Sequence, residues 1–280
     1  MILHLLAQAA DATARPFNTT PYTGTGAVRS LSAGVDASPG GLTILTPAYS
    51  LGFPFTDPSA FYDTVRGASR RARAFSTEDI LSAFAFSGAQ RVFTGANYNA
   101  SGISHMAQHF QTRAGFLDIV PFTGGDTGVT HALGETPMMV MVVRRTGGSG
   151  DGVSYWFSGG TEFSSMTSGA FTPALASFPA GQTFVAYLFG IGSGHAALIT
   201  YTGDGASSQN IAVSFAPKFI ILTLPSGAAS RQWDILQANT FTWGGHSGAN
   251  AYTVSGSTLT ALLAGGANTT SVEYRGVAFR

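Results

Sequence analysis

Six histidines and fourteen carboxylates are the groups of this 280-residue chain that could do acid–base or metal chemistry, and it has no cysteine. The stretch "HMAQH" sets His105 and His109 four apart. On a helix the two rings would face one metal ion. On a strand the same spacing spans about 13 Å, too far to share one. His4, His131, His195 and His246 have no companion carboxylate at a recognisable spacing. "GGHSG" only loosely resembles a nucleophile elbow, since Ser247 directly follows His246 in a Gly-rich loop instead of standing between a strand and a helix. A glycosidase needs two acids flanking one bond, and here the acids are spread singly. Asp57 and Asp63 lie near one loop, Asp126 and Asp204 in similar Gly-rich turns, and Glu162 stands alone. Asp126 and Asp204 suit turns held by a carboxylate bonded to its own backbone. No stretch has the alternating oxygens of a calcium loop, and no glycine loop with a lysine stands ready for phosphate. The expectation is a chain that is not an enzyme, with no catalytic set, no metal site and no cofactor.

The elements that must position these residues follow from a pattern written three times. "PYTGTGA", "PFTGGDT" and "TYTGDGA" each place an aromatic, Thr and Gly before a further Gly. Each is followed by a short apolar run that opens after Pro or Gly: Leu42–Thr46, Met138–Val143 and Lys218–Leu224. Such runs read as buried strands. With 36 Gly, 21 Phe and a single Lys, the composition suits many short strands between tight turns rather than helices. The chain is therefore expected to be all-β, built of β-sandwich (jelly-roll or lectin-like) modules in about three internal repeats. The units are 21–115, 116–194 and 195–280, after an N-terminal segment 1–20. Tyr22, Phe122 and Tyr201 should occupy equivalent strand ends. Helical periodicity is confined to "MILHLLAQAADATAR" and to "STEDILSAFAF", where Ser76 would cap a first turn carrying Glu78 and Asp79. That second stretch reads equally as a strand from Ile80 onward.

A formal net charge of zero with 10 % charged residues argues against nucleic acid, which demands a basic face. The basic cluster Arg66, Arg70, Arg71 and Arg73 reads as a solvated turn. Met1–Ala10 is apolar but too short to span a membrane and has no leading basic residue, so neither membrane insertion nor a signal peptide is expected. Burying Ile2, Leu3, Leu5 and Leu6 would be worth several kcal/mol, at roughly 1.5–3 kcal/mol each. That makes them candidates for docking onto a partner chain.

"FYDTVRGASRRARAF…LSAFAFSGAQRVFTGANYNASGISHMAQHF" resembles a domain recurrent in structural proteins of tailed phages. Asp63, Thr64, Val65, Arg66 and Gly67 stand in its "DTVRG" signature, followed by Phe84, Gly88, Asn97 and Gly102. A second run of the family is matched by Phe122, Thr123, Gly124, His131, Leu133, Gly134, Pro137 and Met139. The chain departs from the pattern with Arg where lysine is usual and with "QHF" in place of a Trp-containing closing strand. The resemblance implies a virion protein, a tail-fibre or tail-tip component for host attachment. Polysaccharide-degrading enzyme and head or tail decoration protein are the alternatives. It also implies other tail proteins as partners and a homo-oligomer, a trimer first. If a host glycan is bound, Tyr155, Trp156, Trp233 and Trp243, beside Gly-rich loops, are the rings that would stack on sugar faces. In the signature itself, Asp63 and Arg66 can pair across a turn that Gly67 permits by taking positive φ.

Overall fold

The structure is a computed structural model. It describes residues 15–38, 40–47, 60–68, 70–73, 76–80, 84–93, 99, 101–102, 104–145, 153–157, 163–223, 233–237, 241–243, 252–263 and 268–280. The chain is all-β. The first stretch carries β1 (Phe17–Thr23), β2 (Arg29–Ser32), β3 (Gly41–Pro47), β4 (Ala60–Asp63), β5 (Arg70–Arg73), β6 (Ser76–Ile80), β7 (Phe84–Ser87), β8 (Gln90–Phe93) and β9 (Ser104–Gln111). Next come β10 (Leu117–Thr123), β11 (Val129–Thr130), β12 (Met139–Arg144), β13 (Val153–Phe157), β14 (Phe163–Met166), β15 (Ala170–Pro173) and β16 (Thr183–Phe189). The last stretch holds β17 (Ala196–Thr202), β18 (Ser208–Ala212), β19 (Phe219–Thr223), β20 (Trp233–Gln237), β21 (Phe241–Trp243), β22 (Tyr252–Ser255), β23 (Thr258–Leu262) and β24 (Glu273–Phe279).

These strands form main sheets in the orders β1-β9-β3-β4-β5-β6, β10-β16-β12-β13 and β17-β24-β19-β20-β21. Three outer sheets run β2-β8-β7, β11-β15-β14 and β18-β23-β22. The same connection recurs each time: an opening strand pairs with the closing strand, which pairs with the buried run that follows the Gly-rich turn. Registers agree to the residue. Tyr22, Phe122 and Tyr201 are the penultimate residues of their opening strands, opposite His105, Phe184 and Tyr274. The three apolar runs are β3, β12 and β19, each inside its sheet, because a strand flanked on both sides leaves no backbone donor or acceptor unpaired.

Strand alternation gives each main sheet two faces with different duties. One face packs on its own outer sheet. In the second stretch Phe122, Val140 and Phe184 meet Phe163 and Phe171; in the third, Tyr201, Ile220 and Tyr274 meet Leu259 and Tyr252; in the first, Tyr22, Leu45 and Tyr62 meet Leu31 and Phe84. The other faces all turn to one common core. At its heart are Phe110, Phe189 and Phe279, which hold the same place near the ends of β9, β16 and β24. Their ring centroids lie 5.8, 5.2 and 5.5 Å apart, edge to face in every pair. Phe17 joins them at 4.8 Å from Phe110 and 5.5 Å from Phe279. Edge-to-face phenyl pairs at this range contribute about 0.5–1.5 kcal/mol each beyond their burial.

Three sequence expectations change. The first opening strand starts at Phe17, and Phe17 is buried in the common core, so residues 17–20 belong to the fold and not to a docking segment. The stretch from Ser76 is the strand β6, not a capped helix, and it begins four residues earlier than the strand alternative. Pairing with β5 gives its backbone partners that an isolated two-turn helix would have lacked. The arginine cluster is not a solvated turn: Arg70–Arg73 is β5, and Arg66 and Arg71 are buried. Ile2, Leu3, Leu5 and Leu6 lie outside the described residues.

Candidate functional site

The turn after β4 carries the signature. Asp63 is fully buried at the end of β4, and its Oδ1 accepts the backbone N–H of Arg66 at 2.7 Å. Gly67 follows at φ 84° and returns its N–H to the Asp63 carbonyl at 3.2 Å. The Arg66 guanidinium is thereby folded back, and its Nη1 donates to Asp63 Oδ2 and to the Tyr187 hydroxyl oxygen. Tyr187, in the middle of β16, donates its own hydroxyl to Asp63 Oδ2 at 2.7 Å. Its ring also lies 5.7 Å from the guanidinium carbon. Burial holds the Tyr187 hydroxyl protonated well above its ordinary range, so it remains a donor. Both side chains of the ion pair have no exposure, and each Asp63 oxygen is already engaged. The arrangement pins the first main sheet to the second.

A second polar constellation sits between the two sheets of the first sandwich. Arg91 on β8 is fully buried, and its Nε donates to Thr43 Oγ1 on β3 at 3.0 Å while Nη1 reaches the Gly88 carbonyl at 2.9 Å. Thr43 Oγ1 also lies 3.2 Å from His109 Nδ1. The guanidinium can only donate, so Thr43 Oγ1 accepts from Arg91 and shares one further hydrogen bond with His109 Nδ1. Burial first, and the Arg91 charge second, depress the His109 pKa to about 3. Arg91 itself is lowered to about 10 by burial, with Asp36 opposing. Toward the other end of β9, His105 stacks on Tyr22 at 5.1 Å, and burial followed by the Arg29 charge brings its pKa to about 4. His105 and His109 share a strand face but serve separate neighbours, and no cluster of metal-binding side chains occurs among the described residues. At the matching registers the second and third stretches have Val140 and Ile220 for Thr43, Leu188 and Ala278 for His109, and Phe184 and Tyr274 for His105.

The Gly-rich turns are held by side chains bonded to backbone. Asp126 Oδ2 accepts the Thr123 N–H at 2.7 Å, and Asp204 Oδ1 accepts that of Ala206 at 2.8 Å. The Ala206 hydrogen bond, followed by one from Asn268, lowers the Asp204 pKa. Across the turn, buried Asn268 accepts the Asp204 N–H at 3.1 Å and donates to the Ala206 carbonyl at 3.0 Å. Asn99 repeats the arrangement, accepting from the Thr25 N–H at 2.9 Å and donating to the Ala27 carbonyl. The clamping asparagines and the contribution of Tyr187 were not anticipated from sequence. A signal for the first existed: Asn stands three residues before the positive-φ residues Gly102 and Ser271.

Of the proposed sugar-stacking residues, Tyr155 and Trp156 lie within β13, while Trp233 opens β20 and Trp243 closes β21. Their side chains lie outside what the structure describes. An open groove of about 600 Å³ beside β10 and β11 is lined by Val120, Pro121 and Gly125–Thr130, and contains none of the four. No protein-family model matches the chain, and no curated protein matches it.

Proposed function

We propose that the chain is a non-enzymatic structural protein of a phage or phage-like virion, a tail-fibre or tail-tip component that serves host attachment. The observation that carries this reading is the "DTVRG" turn, in which Asp63, Arg66 and Gly67 act together as a buried fastening. Its residue set is that of the tailed-phage domain the sequence resembles, and its chemistry is fold maintenance. A protein displayed outside a cell without disulfides must gain its durability from packing, and the common phenylalanine core supports the reading on that ground. In this proposal Ile2, Leu3, Leu5 and Leu6 dock onto a tail component or a second copy, the working form is an oligomer, and host glycan is the ligand class.

Immunogold labelling of intact particles with antibody against the chain tests the proposal. Label at the distal tail is the expected result. Label over the head instead selects the decoration role, and particles that carry no label overturn the virion assignment. A variant lacking residues 1–15 keeps Phe17 and should fold, remain soluble and fail to enter particles. Normal incorporation of that variant would remove the docking role of the four aliphatic residues.

A further inference from the structure

The interior of the first sandwich differs from its two counterparts in charge capacity. Where the second and third stretches bury Phe171 and Leu259, the first buries Arg91; where they bury Leu188 and Ala278, it buries His109. His105 replaces Phe184 and Tyr274. Among the described residues neither nitrogen of His105 has a hydrogen-bond partner, and neither does Nε2 of His109. Both rings are almost completely shielded from water. The described titratable and charged groups around them are Tyr22 on β1, Tyr62 on β4, Arg29 on β2 and Arg91 on β8, with exposed Asp36 acting on Arg91 from outside. All but Asp36 are neutral or positive at pH 7. A proton added to either imidazole therefore meets like charge and, among the described residues, no carboxylate in contact.

We propose that the first sandwich is an acid-sensitive module: protonation of His105 and His109 releases its outer sheet, β2-β8-β7, while the other two outer sheets stay docked. The break falls there because the new charge appears on the β9 face that meets the outer sheet. The opposite face of β9, with Met106, Gln108 and Phe110, holds no titratable group, and Phe110 anchors it in the common core. The direction follows from linkage. A histidine whose folded pKa lies below its unfolded value binds more protons when released, so the closed state loses stability as pH falls below about 6.5. The loss continues until the folded pKa, about 3 for His109 and about 4 for His105, is reached. The His109 ring alone shifts the opening equilibrium about tenfold per pH unit, hence about a hundredfold at pH 4.5.

Hydrogen-exchange protection factors, measured strand by strand at pH 7 and 4.5 on the full chain, read the event. A loss of about a hundredfold or more over 29–32, 84–87 and 90–93, with 170–173 and 258–262 unchanged, is the expected outcome. The double variant His105→Phe with His109→Leu carries the residues of the second stretch and should keep its protection at pH 4.5. Equal losses in all three outer sheets overturn the proposal, as does a double variant that opens at the same pH as the parent. Should the variant not fold, imidazole NMR of the parent protein decides alone. Buried rings that stay neutral down to the pH at which β2-β8-β7 opens support the module, and rings that titrate near 6.5 within the closed fold overturn it.

Discussion

Asp63 shows why a residue's surroundings matter more than its type. A carboxylate in the middle of a protein is costly unless it is paired and hydrogen-bonded, and Asp63 has one backbone donor, one guanidinium and one phenol. Asp63→Asn would strand the buried Arg66 charge, and loss of one partner of a buried pair costs about 3–5 kcal/mol. A denaturant titration should show that loss, whereas Tyr187→Phe should cost only about 1–3 kcal/mol because the ion pair survives it. Ser271 offers the opposite case. It is the non-glycine residue described at positive φ (61°), in the place that glycine holds at 102 and 181. Holding a side chain there costs roughly 1–2 kcal/mol, of which glycine's greater loss of backbone freedom offsets about 0.5–1 kcal/mol, so Ser271→Gly is expected to raise the melting midpoint. An unchanged or lowered midpoint would show that the Ser271 side chain has contacts worth more than the strain.

Among the elements, the Gly-rich turns do the most to set strand direction. A Cβ on Gly124 would lie 2.0 Å from the Pro179 carbonyl oxygen, and one on Gly203 would lie 2.1 Å from that of Thr269. In both cases the obstacle is backbone, which cannot swing aside as a side chain can. This is the physical reason that the second and third turns write glycine directly after threonine, where the opening strand leaves its sheet and the loop before the closing strand crosses over it. Gly203→Ala should therefore destabilise by about 3 kcal/mol or more, and chemical unfolding at neutral pH measures it. The clamp that braces the same turn is separable: Asn268→Ala leaves the backbone path open and forfeits the bridging bonds, at about 1–3 kcal/mol. A Gly203→Ala variant as stable as the parent would mean that the loop before β24 can shift outward without cost.

At the scale of the molecule, the common core makes the three stretches mutually dependent. Each supplies one member of the Phe110, Phe189 and Phe279 set, and none encloses its own ring. Phe279→Ala should cost about 3–5 kcal/mol, the usual range for emptying a buried phenyl site. At neutral pH the chain should unfold in one calorimetric transition, with van't Hoff and calorimetric enthalpies equal. Three separate transitions, or a stretch that folds when expressed alone, would show that the outer sandwiches and not the shared core carry the stability.

Much of this architecture is legible in the order of residues. Alternation and turn chemistry are local, so the β class, the Gly-rich turns, the positions of β3, β12 and β19, and the Asp63–Arg66 pairing across Gly67 can all be read from a few neighbouring residues. The misreadings share a cause. Ser76–Ile80 has a helical cap signal, but its conformation is set by a partner strand. Arg66 and Arg71 look like solvated charges because their burial depends on chain far away in sequence. Tyr187 joins the signature from 121 residues beyond Arg66, and nothing local to β16 marks its hydroxyl as the third member. Local sequence could determine which segments are strands and how each turn closes, since those depend on backbone preferences of adjacent residues. Which faces met, which charges were taken from water and which rings filled the common core were decided only when three sheets packed together, because burial is a property of surfaces that no single stretch possesses.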